Sequence, residues 1–516
     1  MVATPHAQAT AAGVDVLRRG GNAVDAAIAA NGVLSVIYPA SCGIGGDAFW
    51  IVHDPRTRRT HSYNGSGRTP LGAALDRLVE RVLPQRGALT VTVPGAVRSW
   101  EDVGRAHGTR GLDELLEPAE RFARDGYAVT DVVAHYLALN EPLLCADTEA
   151  TRVFLHNGVP RAGDVLRNPE LAATLAAIRR DGADAFYHGP VAQKIVATLN
   201  RLGNVMTLED LAAHRTEETT LLRLAWNGGE LLAHPPNSQG STMLLAMGML
   251  AEDRYVDEPL WNHLAVEAMK RANAIRDARF CDPAFGASGI ERELEATNLR
   301  TLRATIDPAH ATARHSELDH GDTVYLCVVD ENGMAVSLIE SLYMSFGSGV
   351  VAEGTGVVLH NRGAHFSTAH GHPNCYEGGK RPLHTLSPPM FLRDGRPEIV
   401  FGTMGGDSQP QVQVQFLHHL VDRGLDVQQA LDMPRWVYGR PSIPSRPELT
   451  SQDTVVVESR MAAEIVAGLE QRGHQVATIG PYDNAMGHAH AIVIDPERGT
   501  LAGGADPRAD SMALGL

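Results

Sequence analysis

Apolar positions recur in two periods along this chain. From Ala7 to Arg19 they follow a helical repeat through Ala12, Val16 and Leu17, and Gly20-Gly21 stops it. Asn22 then caps AVDAAIAANGVLSVIYP, which Pro39 ends; it is apolar nearly all round, which predicts a buried helix. Ala48 to His53 and THSYNGS read as two strands around a turn at 55–58. A short strand is expected at Val91–Val93, with helices over Ala96–His107 and Leu112–Ala128. The periodicity predicts a mainly helical region from 130 to about 300, with amphipathic helices at 169–181, 190–202 and 258–279. The loop PPNSQG precedes an apolar helix over Ser241–Leu250, and a polar stretch from about 300 to 322 suits an exposed linker.

The period then changes to two. Thr323–Val329 is rich in β-branched and aromatic residues, Asn332-Gly333 supplies a hairpin turn, and Ala335–Tyr343 returns. The two-residue repeat puts Ser341 and Tyr343 on one face. Further strands are expected at Gly356–Asn361, Ser387–Leu392 and Pro397–Phe401, followed by a helix over Gln411–Arg423 and a terminal hairpin with a polar end.

Composition narrows the function. The 516 residues carry a net charge of −16 and no basic tract, which argues against nucleic-acid binding. Five scattered cysteines form no CxxC pair, suggest neither a disulfide framework nor a zinc site, and fit a reducing compartment. The uncharged stretch between Asp25 and Asp47 is interrupted by Asn31, Pro39 and glycines and is not expected to span a membrane. The start shows no signal peptide, so a cytoplasmic location is expected, or a periplasmic or secreted one if a leader has been lost. No cofactor is expected. GIGG precedes a strand, not a helix, unlike a dinucleotide loop.

Three stretches carry candidate chemistry. Were the Asp322–Thr323 bond cut, Thr323 would hold a hydroxyl nucleophile and a free α-amine able to take its proton. A threonine at a strand start is otherwise ordinary. Gly405 and Gly406 lie at a strand-to-helix turn, where backbone N–H groups suit an oxyanion or simply form a tight turn. His365, His370 and His372 offer a rival metal site without a partner carboxylate.

Taken in order, GGNAVDAAIAA (20–30), GIGGDAFWIVHD (43–54), VPGAV (93–97), FARDGYAV (122–129), DTVYLCVVDENGMAVS (322–337), FGSGVV (346–351), GTMGGDSQ (402–409) and ADPR (505–508) resemble the gamma-glutamyltransferase family of N-terminal nucleophile hydrolases across nearly the whole chain. The resemblance implies an α/β (α+β) protein, a four-layer α-β-β-α sandwich whose precursor cuts itself into chains 1–322 and 323–516, intertwined in one core as a heterodimer. It implies Thr323 as nucleophile, Gly405 and Gly406 as the oxyanion hole, and Ser341 as support for the α-amine. It also marks departures in the glutamate pocket. His384-Thr385 replaces a serine pair, His365 an aspartate, Tyr343 an asparagine, Arg362 a glutamine and Ser66 an arginine, with Arg68 nearby. A zwitterionic glutamate head would lose the anionic partner of its ammonium there, which is costly when buried. The pattern is similar to the branch containing oxamate amidohydrolase and cephalosporin-acylase-like enzymes. The substrate expected is thus a small amide bearing a carboxylate, with Arg68, Arg362 or His384 to bind the anion. A true glutathione hydrolase and γ-glutamyl transferase is the nearest alternative, and an uncut, inactive binding protein is one of another class.

Overall fold

In a computed structural model, the structure describes residues 1–313, 321–439 and 453–516. Among these residues two large sheets face each other. The first uses β1 (Val2–Thr4), β2 (Asp47–Asp54), β3 (Arg59–Asn64), β4 (Glu217–Thr219), β7 (Asp322–Val329), β8 (Ala335–Tyr343) and β13 (Met512–Leu514). The second uses β5 (Leu222–Trp226), β6 (Gly229–Ala233), β9 (Met390–Arg393), β10 (Arg396–Thr403), β11 (Ala489–Asp495) and β12 (Thr500–Ala505). Their spatial orders are β13-β1-β7-β8-β2-β3-β4 and β12-β11-β10-β9-β6-β5.

Strand periodicity builds the layers. Phe49, Ile51, Tyr325, Cys327 and Ile339 point from the first sheet into a shared core with Leu232, Met390, Val400 and Ile492 of the second. The alternate positions of the first sheet, among them Trp50, Val324, Leu326 and Leu338, pack outward. They meet α1 (Ala7–Arg18), α2 (Ala23–Ile37) and α3 (Ala96–His107). Leu231, Phe391, Ile399 and Phe401 likewise face α4 (Gly240–Met249), α5 (Glu258–Arg279) and α6 (Gln409–Leu417). Both faces of the central strands are buried, which is why β2, β7 and β8 carry apolar residues on both faces along most of their length, with polar residues mainly at the ends of β2 and β7 and at Ser337, Glu340 and Ser341 of β8. The result is the α-β-β-α sandwich.

Several expected boundaries move. The region 130–300 is not only helical, because β4, β5 and β6 lie within it. The β5–β6 turn places Asn227 at φ 48° and Gly228 at φ 73°, the backbone that Asn-Gly pairs favour. The helix expected over Leu112–Ala128 breaks into Leu112–Leu115 and Glu117–Asp125, followed by the short strand Tyr127–Ala128. Leu116 between them leaves helical geometry, and Pro118 opens the second piece. No strand forms at Val91–Val93, where a 3-10 turn at Ala88–Thr90 runs into extended chain. The strand at 356–361 shortens to Val357–Val358 before a 3-10 turn at Arg362–His365. The terminal polar end contributes β13.

The expected linker is also partly structured. A helix runs to Ala304. Residues 305–312 are then strapped to α5, with Lys270 Nζ on the Thr312 carbonyl at 2.7 Å and Arg271 Nε on Thr305 Oγ1 at 2.7 Å. Residues 314–320 of that linker lie outside the described residues.

Candidate active site

Thr323 enters β7 beside Asp322, and both are almost completely buried. Its hydroxyl donates to Ser341 Oγ at 3.2 Å, and Ser341 Oγ donates to the Asp322 carbonyl oxygen at 2.5 Å. One serine hydroxyl thus touches both the candidate attacking oxygen and the carbonyl of the peptide bond preceding it. The Asp322 carboxyl is held by Ser41 Oγ at 2.8 Å, Ser345 Oγ at 2.7 Å and the Thr323 N–H at 3.1 Å. Burial pushes this carboxyl above its usual range, and the Ser345 and Ser41 bonds oppose that only in part.

The end of β8 is irregular where the site needs it. Pairing with β7 slips between Glu340 and Tyr343, so that Tyr343 pairs with Asp322. Tyr343 has φ 81°, unusual for a side-chain-bearing residue. Its N–H donates to Ser341 Oγ at 2.7 Å. Its ring stacks on His365, with centroids 5.4 Å apart, and carries the Arg362 guanidinium 4.1 Å above its centre.

The paired glycines stand at the end of β10. Gly405 has φ 132° and Gly406 φ 55°, conformations that favour glycine. In a trans peptide the N–H points opposite the preceding carbonyl, so whatever holds the carbonyl aims the N–H. Thr403 Oγ1 holds the Met404 carbonyl at 2.7 Å and thereby aims the Gly405 N–H. Ser408 holds the Gly405 carbonyl with its N–H at 2.9 Å and its Oγ at 2.7 Å, aiming the Gly406 N–H. The loop abuts the chain entering β7, since a Cβ on Gly321 would lie 2.7 Å from Gly406 Cα.

Arg362 is fully buried. Its Nη1 donates to Thr385 Oγ1 at 3.0 Å and its Nη2 to Ser341 Oγ at 3.4 Å. Thr323, Ser341, Tyr343, Arg362, His365 and Thr385 therefore share one contact network. His384 and Arg68 do not supply an anion site of the kind expected of them. His384 Nε2 bonds Asp47 Oδ2 at 3.1 Å, and its Nδ1 accepts the Leu386 N–H at 3.4 Å. Burial drives its pKa well below the usual imidazole value, so it is a neutral donor, not a cation. The Arg68 guanidinium is taken up by Asp282 at 2.6 Å and Glu217 at 3.2 Å.

Asp47, opposite Ser341 in the β2–β8 ladder, is a site neighbour that motif reading does not single out. It accepts N–H groups from Gly67 at 3.2 Å and Gly95 at 3.1 Å. Burial lifts it to about 7, with the Arg362 charge opposing. An aspartate directly after the glycines of GIGGD, at the start of a strand, is the local signal for it.

The three histidines of the metal alternative diverge. His365 stacks on Tyr343, His372 Nε2 meets the Asp277 carbonyl at 3.0 Å, and His370 is exposed. Among the described residues no group of three His, Cys, Asp or Glu is assembled for a metal ion, and no helix is long and apolar enough to cross a membrane.

A sequence profile described as gamma-glutamyltranspeptidase matches residues 9–516. The chain is 38% identical over 523 residues to the glutathione hydrolase-like YwrD proenzyme of Bacillus subtilis (strain 168), covering 100% of this chain and 98% of that one. It is 37% identical over 526 residues to the oxamate amidohydrolase proenzyme of Klebsiella pneumoniae subsp. pneumoniae, again covering 100% and 98%. Among solved structures, cephalosporin acylase from Bacillus halodurans superposes with a TM-score of 0.92 at 34% identity, over 99% of this chain and 94% of that one.

Proposed function

This chain belongs to the gamma-glutamyltranspeptidase family, with the fold and enzymatic character of an N-terminal nucleophile amidohydrolase, and from that premise we propose that it is a self-processing threonine enzyme that hydrolyses short, carboxylate-bearing amides of the oxamate type. The observation that carries the reading is the position of Ser341, bonded at once to Thr323 Oγ1, the Asp322 carbonyl and Arg362.

Two reactions follow from one geometry. In the precursor, Thr323 Oγ attacks the Asp322 carbonyl carbon while Ser341 polarises its oxygen. The C–N bond breaks, the hydroxyl proton passes to the departing nitrogen, and water hydrolyses the resulting ester. The new α-amine of Thr323 then serves as base, because an amine of pKa about 7.7–8.0 is partly neutral at pH 7. In the second reaction Thr323 Oγ attacks the substrate amide, and the Gly405 and Gly406 N–H groups hold the oxyanion. The amine protonates the leaving nitrogen, and water releases the acid. Arg362 takes the substrate carboxylate through its fork, and Thr385, Tyr343 and His365 shape that end of the site. The oxamate amidohydrolase relative supports the substrate class. The cationic Arg362 and the ring of His365, where a glutamate ammonium would otherwise be received, argue against γ-glutamyl substrates.

Intact mass spectrometry of wild type and Thr323→Ala tests the first reaction. Wild type should give chains 1–322 and 323–516, and the variant one uncut chain without amidase activity; a Thr323→Ala protein that still splits and turns over amides refutes the assignment. A panel of oxamate, a γ-glutamyl anilide and a glutaryl amide tests the second. Release of glutamate from the anilide, with oxamate untouched, would replace this reading with a glutathione hydrolase.

A further inference from the structure

The acyl site has three corners: the Thr323 hydroxyl, the Gly405–Gly406 loop and the Arg362 guanidinium. Ser341 joins the first to the third, and its contacts of 3.2 and 3.4 Å cap their separation at the sum of the two. The remaining join, from guanidinium to glycine loop, runs through Gln239.

Gln239 is the cap residue of α4 and is fully buried. Its Nε2 donates to the Thr385 carbonyl at 2.8 Å and to the Gly406 carbonyl at 2.8 Å. Its Oε1 accepts Arg276 Nη1 at 2.9 Å. Arg276, also buried, bonds Asp407 in the same glycine loop. The side-chain amide therefore spends both N–H groups on two different walls of the site. One wall, through Thr385 Oγ1, orients Arg362; the other carries the oxyanion donors. Gln239 touches neither Thr323 nor the Arg362 guanidinium in these contacts, so it acts by position.

We infer that Gln239 is a length gauge: it fixes the distance between the carboxylate-binding Arg362 and the oxyanion loop, and so selects monoamides of short straight-chain diacids by the number of carbons between their two ends. This rests on the proposed amidohydrolase reading. A substrate held at both ends gains from both contacts only when its length matches the fixed gap. An added methylene lifts the carbonyl off the glycine donors or the carboxylate off the guanidinium. Discrimination by one methylene in a rigid site is about 10- to 200-fold.

The test measures kcat/KM for oxamate, malonamate, succinamate and glutaramate with processed wild type, Gln239→Met and Gln239→Glu. Methionine keeps the volume without donors; glutamate keeps an acceptor for Arg276 but loses both donors. Wild type should prefer one length over its next-longer neighbour by about 10-fold or more. In both variants that ratio should fall below about 3-fold, with the best substrate losing most. Equal losses on all four substrates, or an unchanged ratio, would make Gln239 merely structural and overturn the gauge. A flat wild-type profile would overturn it without any variant, while leaving the amidohydrolase reading intact. Wild type that is cut at 322–323 yet hydrolyses none of the series would overturn both.

Discussion

Single side chains at this site are held by partners more than they are chosen for reactivity. The Gly406 N–H points where it does because Ser408 grips the preceding carbonyl twice. Ser408→Ala removes one grip and leaves the other, so kcat should fall about 10-fold, less than the 10²–10³ typical of losing an oxyanion donor outright; steady-state kinetics on the best amide checks it. Arg362→Lys keeps the charge but loses the planar fork shared between Thr385 and Ser341. It should raise KM for carboxylate-bearing amides at least 10-fold and change turnover of a neutral amide little. Equal effects on both substrates would remove Arg362 from carboxylate binding. Thr323 and the Gly405–Gly406 pair were legible as candidates because each sits in a local pattern, a strand start and a strand-to-helix turn. The roles of His384 and Arg68 were not, since only their acidic neighbours, the buried Asp47 and Asp282 and the exposed Glu217, decide what a histidine or arginine does.

Among elements, α5 does two jobs along one length. Its end at Arg276 ties the glycine loop, while Glu267, Lys270 and Arg271 grip residues 305–312 ahead of the expected cleavage point. Glu267 is fully buried, bonds both neighbouring cations and accepts the Thr312 N–H at 3.1 Å. Burial alone would raise its pKa, but Arg271 and Lys270 overcome this and set it at about 2. Glu267→Ala strands two buried cations and should cost about 3–5 kcal/mol, read as a lower urea midpoint with an unchanged slope. The β5–β6 hairpin shows how element reading fails. Its Asn227-Gly228 turn has the same chemistry as Asn332-Gly333, but apolar positions in a short stretch fit a buried helix or a buried strand equally well. Pairing with β9 settles it.

The whole molecule binds its two prospective chains by interleaving. In the first sheet β1 pairs with both β13 and β7, and β8 pairs with β2, so strands from the two sides of 322 are hydrogen-bonded directly to one another. A processed protein should therefore elute as one particle in size exclusion and separate only in denaturant. Acid should weaken it. His214, His360, His419, His474 and His490 are pulled down to about 3, in each case chiefly by burial. Their unfolded forms take up protons near pH 6.5. The stability they contribute is thus complete above pH 6.5 and is lost as pH falls from there toward 3. His418 runs the other way: burial lowers it, but Asp422 and Glu258 bonds win and raise it, so its share is full below pH 6.5 and fades as pH rises through its folded pKa. The urea midpoint should drop between pH 7 and pH 5; a flat profile would contradict the buried neutral histidines.

The sequence by itself determined β2, β3 and β7 to β10, the Asn332-Gly333 hairpin, the threonine at its entrance and the glycine turn, because period and turn chemistry act over a few neighbouring residues. Only the tertiary structure decided which charges meet. Asp47 and His384 stand 337 positions apart, and Gln239 reaches Gly406 across 167. The partner of a buried polar group is set by which layers pack together, and no local pattern records that.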